Sequence, residues 1–192
     1  MKLFDHFALL APFYDRIFAT VSRDRLLELL DLRADGRLLD VGGGTGRVST
    51  ALANTTGEVV VTDLSVAMLR QARSKGGLHA VCAHAERLPF PNGSFDRALV
   101  VDAFHHLCDQ EQAASELLRV LTPGGRLVVE EPNIEHWPVK LVAMGERLAL
   151  MRSRFHGPED MRHIFETQGG RVTMHTDDAI NAWVVVDKPY DL

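Results

Sequence analysis

The stretch RLLDVGGGTGRVST, Arg37 to Thr50, sets Gly42, Gly43, Gly44 and Gly46 close behind Asp40. Glycines at this density leave main-chain N–H groups with no Cβ in front of them, so a ligand can lie directly against the backbone. Three ligands would use such a surface: a nucleoside triphosphate, a dinucleotide, or another adenosine-bearing cofactor. A phosphate-binding P-loop needs a lysine directly after its last glycine, and no lysine stands between Lys2 and Lys75. A dinucleotide fingerprint needs a third glycine three places beyond Gly44, where this chain has Arg47. Asp63 closes the apolar run EVVVTD and could accept hydrogen bonds from both hydroxyls of a ribose without a 2′-phosphate. Its competing role is structural, as a cap for a helix that begins near Ser65, a residue that could also cap it.

A second cluster able to do chemistry lies in VVDAFHHL, where Asp102, His105 and His106 follow an apolar run. Such groups could take a proton from a reacting partner; they could equally build the loop that carries them. The nine histidines include no H-x-x-x-H or comparable pair, and Cys82 and Cys108 form no CxxC. No metal site or disulfide framework is expected, and the thiols fit a reducing cytoplasm.

These residues need elements to position them. Apolar runs RLLDV, EVVVTD, LHAVCAH, FDRALVVD and RLVVEE alternate with helical patterns in SVAMLRQARSKGG and DQEQAASELLRVLTPGG. In the second of these, Pro123-Gly124-Gly125 is expected to stop the helix before a turn to the fifth strand. The alternation predicts a Rossmann-like, doubly wound α/β sheet with helices on both faces. A helix over EDMRHIFETQ and two strands, RVTMHTD and AWVVVDK, joined around Asp178, predict an antiparallel C-terminal hairpin on an otherwise parallel sheet.

The whole reads as one domain over 1–192. Its parts are an N-terminal helical cover (1–30), a cofactor-binding core (37–132), a lid-like helical insertion (133–156) and a C-terminal helix and hairpin (157–192). The net charge of −5 disfavours a nucleic-acid binder. The N-terminus is broken by Asp5, His6, Pro12, Asp15 and Arg16, and no apolar run reaches membrane-spanning length, which predicts a cytoplasmic protein without stable membrane insertion. Lys140, Arg147, Arg152 and Arg154 allow a peripheral membrane contact, although a solvated face explains them as well. Nothing in the sequence selects an oligomeric state.

LLDVGGGTGRVSTALA, VVVTDLSVAMLRQAR, AHAERLPFPNGSFDRALVVDAFHHL and LLRVLTPGGRLVVEEP resemble, in order, the four successive motifs of class I S-adenosylmethionine-dependent methyltransferases. The likeness is to the small-molecule branch that includes the menaquinone and ubiquinone C-methyltransferases, and it covers about residues 37–132. FDHFALLAPFYDRIF is similar to the helix that opens the quinone-type members.

The resemblance implies that Asp40, Gly42, Gly43 and Gly44 face the methionine part of the cofactor and that Asp63 holds the ribose. Leu64 and Met68 would flank the adenine, Val101 would line the cofactor site, and Tyr14 would reach the methionine part or the acceptor. His84-Ala85 stands where the family commonly has Asp-Ala, so either His84 or Glu86 would meet the adenine amino group. The chain lacks the Asn/Asp-Pro-Pro-aromatic signature expected of nucleic-acid base methyltransferases. Phe4, Phe7, Phe13, Met144, Leu148, Met151 and Phe155 in the cover segments suggest a small apolar or aromatic acceptor. Two alternatives are a non-catalytic module that binds S-adenosylmethionine or S-adenosylhomocysteine, and an NAD(P)-dependent reductase. The second is disfavoured by Arg47 and by the lack of a Tyr-x-x-x-Lys pair.

Overall fold

The computed structural model describes residues 22–136, 139–140, 153–176 and 181–191. The expected N-terminal cover up to residue 21, with Tyr14, lies outside these residues, as do most of the 133–156 insertion and the turn around Asp178.

Among the described residues, thirteen elements follow in chain order: α1 (Arg23–Leu30), β1 (Arg37–Val41), α2 (Arg47–Leu52), β2 (Glu58–Asp63), α3 (Val66–Ser74), β3 (His79–Cys82), β4 (Phe95–Val101), a 3-10 turn (Phe104–His106), α4 (Gln110–Val120), β5 (Leu121–Pro132), α5 (Pro158–Thr167), β6 (Arg171–Thr176) and β7 (Asn181–Asp187). The strands form one sheet in the order β3-β2-β1-β4-β5-β7-β6. Neighbouring pairs among β1 to β5 are parallel, and β7 runs antiparallel to both β5 and β6, as the hairpin pattern predicts. The chain winds outward from β1 to β3 and then crosses back to β4. The switch point therefore lies between β1 and β4, where open α/β sheets bind ligands outside the carboxyl ends of the strands.

Side-chain alternation divides the core into two layers. Leu39, Val41, Val60, Ala98, Val100, Leu127 and Val129 meet α4 and α5 through Ala113, Leu117, Met161 and Phe165. Leu38, Val59, Val61, Leu99, Val128 and Trp183 meet α1, α2 and α3 through Leu26, Leu30, Leu52 and Leu69. Each fully buried Leu or Phe contributes about 1.5–3 kcal/mol to holding helix against sheet. The strands are apolar on both sides because both faces are covered.

The helix ends are held by specific groups. The Ser22 hydroxyl accepts from Arg25 N–H at the start of α1, and Asp31 ends that helix in a left-handed conformation. The sheet completes the end: Arg97 Nε donates to Leu30 O at 2.6 Å and Arg126 Nη1 to Leu29 O at 3.1 Å, satisfying carbonyls that the helix leaves open. Thus α1, the described part of the expected N-terminal cover, packs on the sheet face.

Two local readings of the sequence are corrected. Ser65 occupies the cap position of α3 but makes no side-chain cap bond; Asp63 Oδ1 accepts from Ser65 N–H at 2.7 Å instead. Pro123-Gly124-Gly125 does not end α4, which stops at Val120 with Leu121 already paired to Phe95. The Pro-Gly-Gly stretch forms an irregularity inside β5, held by Gly124 N–H to Lys188 O and Lys188 N–H to Gly125 O, both 2.9 Å. Among the described residues, no helix is long and apolar enough to cross a membrane.

Gly46 opens α2 at φ 70°, and a Cβ there would lie 2.6 Å from Leu78 Cδ1 and 3.2 Å from Ala72 Cβ. Gly46→Ala is expected to lower unfolding stability in urea by about 1–3 kcal/mol, from backbone strain and displacement of Leu78. An unchanged midpoint would contradict this packing.

Candidate active site at the carboxyl edge of the sheet

The glycine loop is folded back over β2. Gly42 and Gly43 N–H groups both donate to Thr62 O, at 2.8 and 3.1 Å. Asp40 is buried beneath the loop, and its Oδ2 accepts from Ser49 Oγ at 2.6 Å. A Cβ on Gly43 would sit 2.5 Å from the Asp40 carboxyl group and 2.7 Å from Val61, so only glycine allows the loop to close on that carboxylate. Burial pushes the Asp40 carboxyl up to about 7; the Ser49 bond opposes this, the Asp63 charge adds to it and Arg47 offsets part of it.

Asp63 ties the glycine loop after β1 to the start of α3 after β2. Its Oδ2 accepts from Gly44 N–H at 3.0 Å while Oδ1 holds the start of α3. The capping role is therefore real. Beyond it, Leu64 is 55% exposed, an apolar surface suited to a planar ring, whereas Met68 is 2% exposed.

His84 is exposed and Ala85 is buried. Glu86 Oε1 accepts from Cys108 N–H at 2.9 Å and from Asp109 N–H at 3.2 Å, tying the exit of β3 to the start of α4.

Val101 ends β4, and Asp102 follows with φ 52°, a left-handed conformation that aspartate adopts at a cost. The structure brings the three proton-transfer candidates into one turn but gives them different environments. His105 is buried, its Nδ1 lies 2.5 Å from Glu131 Oε2, and its ring stacks on Phe155 at 4.3 Å. His106 Nδ1 meets Ser153 Oγ at 3.0 Å. Burial, then the neighbouring His105, pushes the His106 imidazole down to about 3, so it is neutral near pH 7 and a weak base.

Glu131 is the residue that the sequence reading missed here. Its buried carboxylate accepts from the N–H groups of Ala103 at 2.9 Å, Phe104 at 2.7 Å and His105 at 3.2 Å, as well as facing the His105 ring. A strap, residues 153–156, lies over the same turn: Arg154 N–H donates to His105 O at 2.7 Å, and Gln110 Nε2 joins Phe104 O to Arg154 O. His156 Nε2 pairs with Gln110 Oε1 at 2.7 Å.

The preceding residue, Glu130, is a second omission. It is 4% exposed, its Oε1 accepts from Asn181 Nδ2 at 2.6 Å, and its Oε2 has no hydrogen-bond partner among the described residues. Burial pushes its carboxyl up to about 7, against the Asn181 bond and with the Asp102 charge adding to the rise. The signal available in the sequence was the pair of consecutive acids ending the apolar run RLVVEE.

A doubly wound sheet with a glycine loop after β1 and an aspartate at the end of β2 is the architecture of nucleoside-cofactor domains. A methyltransferase domain family model matches residues 39–129. The ubiquinone/menaquinone biosynthesis C-methyltransferase of Pseudomonas aeruginosa is 39% identical over 115 residues, which cover 55% of this chain and 45% of that one. The chain thus spans about half the length of the curated relatives it matches. A Haloferax volcanii methyltransferase, solved with the Trm112 methyltransferase activator, superposes with a TM-score of 0.81 at 19% identity, covering 98% of this chain and 100% of that one. A Thermotoga maritima S-adenosylmethionine-dependent methyltransferase gives 0.79 at 23% identity, with 95% and 98% covered. At these identities the structural likeness is one of fold. The chain is thus similar in sequence to methyltransferases over about half of its length, and in fold to S-adenosylmethionine-dependent methyltransferases.

Glu131→Gln should cost about 2–4 kcal/mol, because an amide cannot accept all four of these bonds. Amide exchange at Phe104 and His105 should accelerate with it; unchanged exchange there would contradict the clasp.

Glu130 sets a pH dependence. Its folded value, about 7, lies above the ordinary 4.5, so between these pH values the folded protein keeps a proton that the unfolded chain releases. The stability this confers is complete below about pH 4.5 and is lost as pH rises through 7. Glu130→Gln is therefore expected to stabilise the ligand-free protein at pH 8 by roughly 1–3 kcal/mol and to give no such gain at pH 4.5. Equal effects at both pH values in thermal unfolding would contradict the burial of this carboxyl.

Proposed function

We propose that the protein transfers a methyl group from S-adenosylmethionine to a small apolar or aromatic acceptor held over the carboxyl ends of β4 and β5. The observation that carries this reading is the acidic switch point. Asp40, Asp63, Asp102 and Glu130 gather around the single arginine Arg47 among the described charges that shift Asp40 and Glu130. Such an environment favours a cationic cofactor and opposes the pyrophosphate of a dinucleotide.

In this reading Asp63 accepts from the ribose hydroxyls, and Leu64 and Met68 flank the adenine. His84 and Ala85 border the adenine; Glu86 acts mainly by holding the α4 end of that wall. The backbone of Gly42, Gly43 and Gly44 lies along the methionine chain, supported from below by Asp40, with Val101 lining the inner wall. Tyr14 is assigned to the methionine part or the acceptor on the family resemblance alone.

When bound, S-adenosylmethionine supplies an electrophilic methyl group on a charged sulfur. The protein's work is then to hold an acceptor in line with it, an effect on the order of 7–11 kcal/mol at best. Of the three candidates for proton transfer, Asp102 stands at the strand end, His105 braces the turn through Glu131, and neutral His106 forms its wall with Ser153. The non-catalytic alternative is not favoured, since the proposed pocket sits beside acidic groups able to serve a reaction.

Thermal unfolding with S-adenosylmethionine, S-adenosylhomocysteine, NAD and NADP tests the reading. The first two should raise the midpoint by mass action and the nicotinamides should not. Asp63→Ala should weaken binding of both adenosyl ligands at least about tenfold, the loss expected for hydrogen bonds to a charged acceptor. A shift with NAD alone would overturn the proposal.

A further inference from the structure

Among the described carboxylates at the carboxyl edge of the sheet, Glu130 is the one that combines deep burial with an oxygen lacking any donor. It sits at register with Val101 on β4 and Trp183 on β7, and Asp102 N–H donates to its main-chain oxygen at 2.9 Å. Alternation along β5 puts it on the face that Val128 shares with Leu38, Val61 and Leu99, the face over which Asp40 and α2 lie. The charged and polar groups facing it come from every neighbouring element: Asp102 after β4, Arg47 opening α2, Glu131 on its own strand and Asn181 on β7.

A buried carboxylate with two acidic neighbours, one arginine and a single amide donor is poorly supported in its ionised form. The one arginine is outnumbered by these carboxylates, and the Oε2 atom is an acceptor without a donor. S-adenosylmethionine carries one positive charge more than S-adenosylhomocysteine, at the sulfur. We propose that Glu130 is the specificity-determining residue that reads this charge: protonated in the empty cleft, it releases its proton to solvent as the sulfonium cofactor enters and keeps it when the neutral thioether binds. This inference rests on the methyltransferase reading and extends it to the discrimination of cofactor from product. The proton lost by the carboxyl is the only bond broken, and the buffer receives it.

The value of about 7 for this carboxyl sets the size of the effect. At pH 7 about half of the empty molecules hold the proton, so Glu130 contributes about half a proton released per cofactor bound. Its share of S-adenosylmethionine affinity should fall about tenfold from pH 8 to pH 6. Asp40 has a similar raised value, so wild-type release exceeds this share and the Glu130 part must be isolated by substitution.

The test is calorimetric titration of the intact chain with S-adenosylmethionine and with S-adenosylhomocysteine at pH 6, 7 and 8, each in two buffers of different ionisation heat. Wild type should release more protons with the first ligand than with the second, and its preference for the first should grow with pH. Glu130→Gln should bind both ligands, lose about half a proton of the release at pH 7, and lose the roughly tenfold growth in preference between pH 6 and pH 8. Equal proton release by the two ligands in wild type would overturn the proposal without any variant. Release in Glu130→Gln equal to wild type would overturn it as well, while leaving cofactor binding intact. Binding of neither ligand to wild type would overturn both this inference and the methyltransferase reading.

Discussion

The carboxyl edge of the sheet depends on one buried carboxylate. Glu131 collects three main-chain N–H groups and the ring of His105, which converts the exit of β4 into a fixed turn. Charge-assisted bonds of this kind are short and directional, and inside a protein they are costly to break singly. Everything near the switch point is built against that turn. Ala103 packs so close to Gly42 that a Cβ there would approach it to 2.6 Å. Asp102 is held in its left-handed conformation, and the 153–156 strap is tied to His105, His106 and Gln110.

The same edge carries more negative than positive charge. Asp40 and Glu130 are costly to ionise in the ligand-free protein, both being pushed toward neutrality by burial. An environment that resists ionisation when empty stabilises an incoming cation, because ligand and carboxylate then compensate each other's desolvation. The glycine loop is complementary to this: its open backbone allows close approach, while its own N–H groups are partly engaged by Thr62 O and Asp63.

Local pattern made most of the architecture legible. The runs RLLDV and EVVVTD coincide with β1 and β2, and the helix over EDMRHIFETQ begins at Pro158. The glycines, Asp63 and the 102–106 cluster also come together at one edge of the sheet, since the motif order reflects strand order. What stayed hidden depends on partners distant in the chain. Nothing local to VVEEP shows that Glu131 will cap residues 103–105, or that Asn181 from β7 will reach Glu130. Pro123-Gly124-Gly125 has the composition of a helix stop, yet pairing of Leu121 with Phe95 had already ended α4. At Ser65 the local signal offered two caps, and the Asp63 carboxylate, the stronger acceptor and held in place by Gly44, is the one that makes the bond.

A crystal structure with bound S-adenosylhomocysteine would examine the cofactor assignment most directly. The expected result is an adenosine at the ends of β1 and β2, its ribose hydroxyls on Asp63, with the thioether sulfur beside Asp102 and Glu130. A ligand seated elsewhere, or an Asp63 that touches only Gly44 and Ser65 while the ribose is held by other groups, would contradict it.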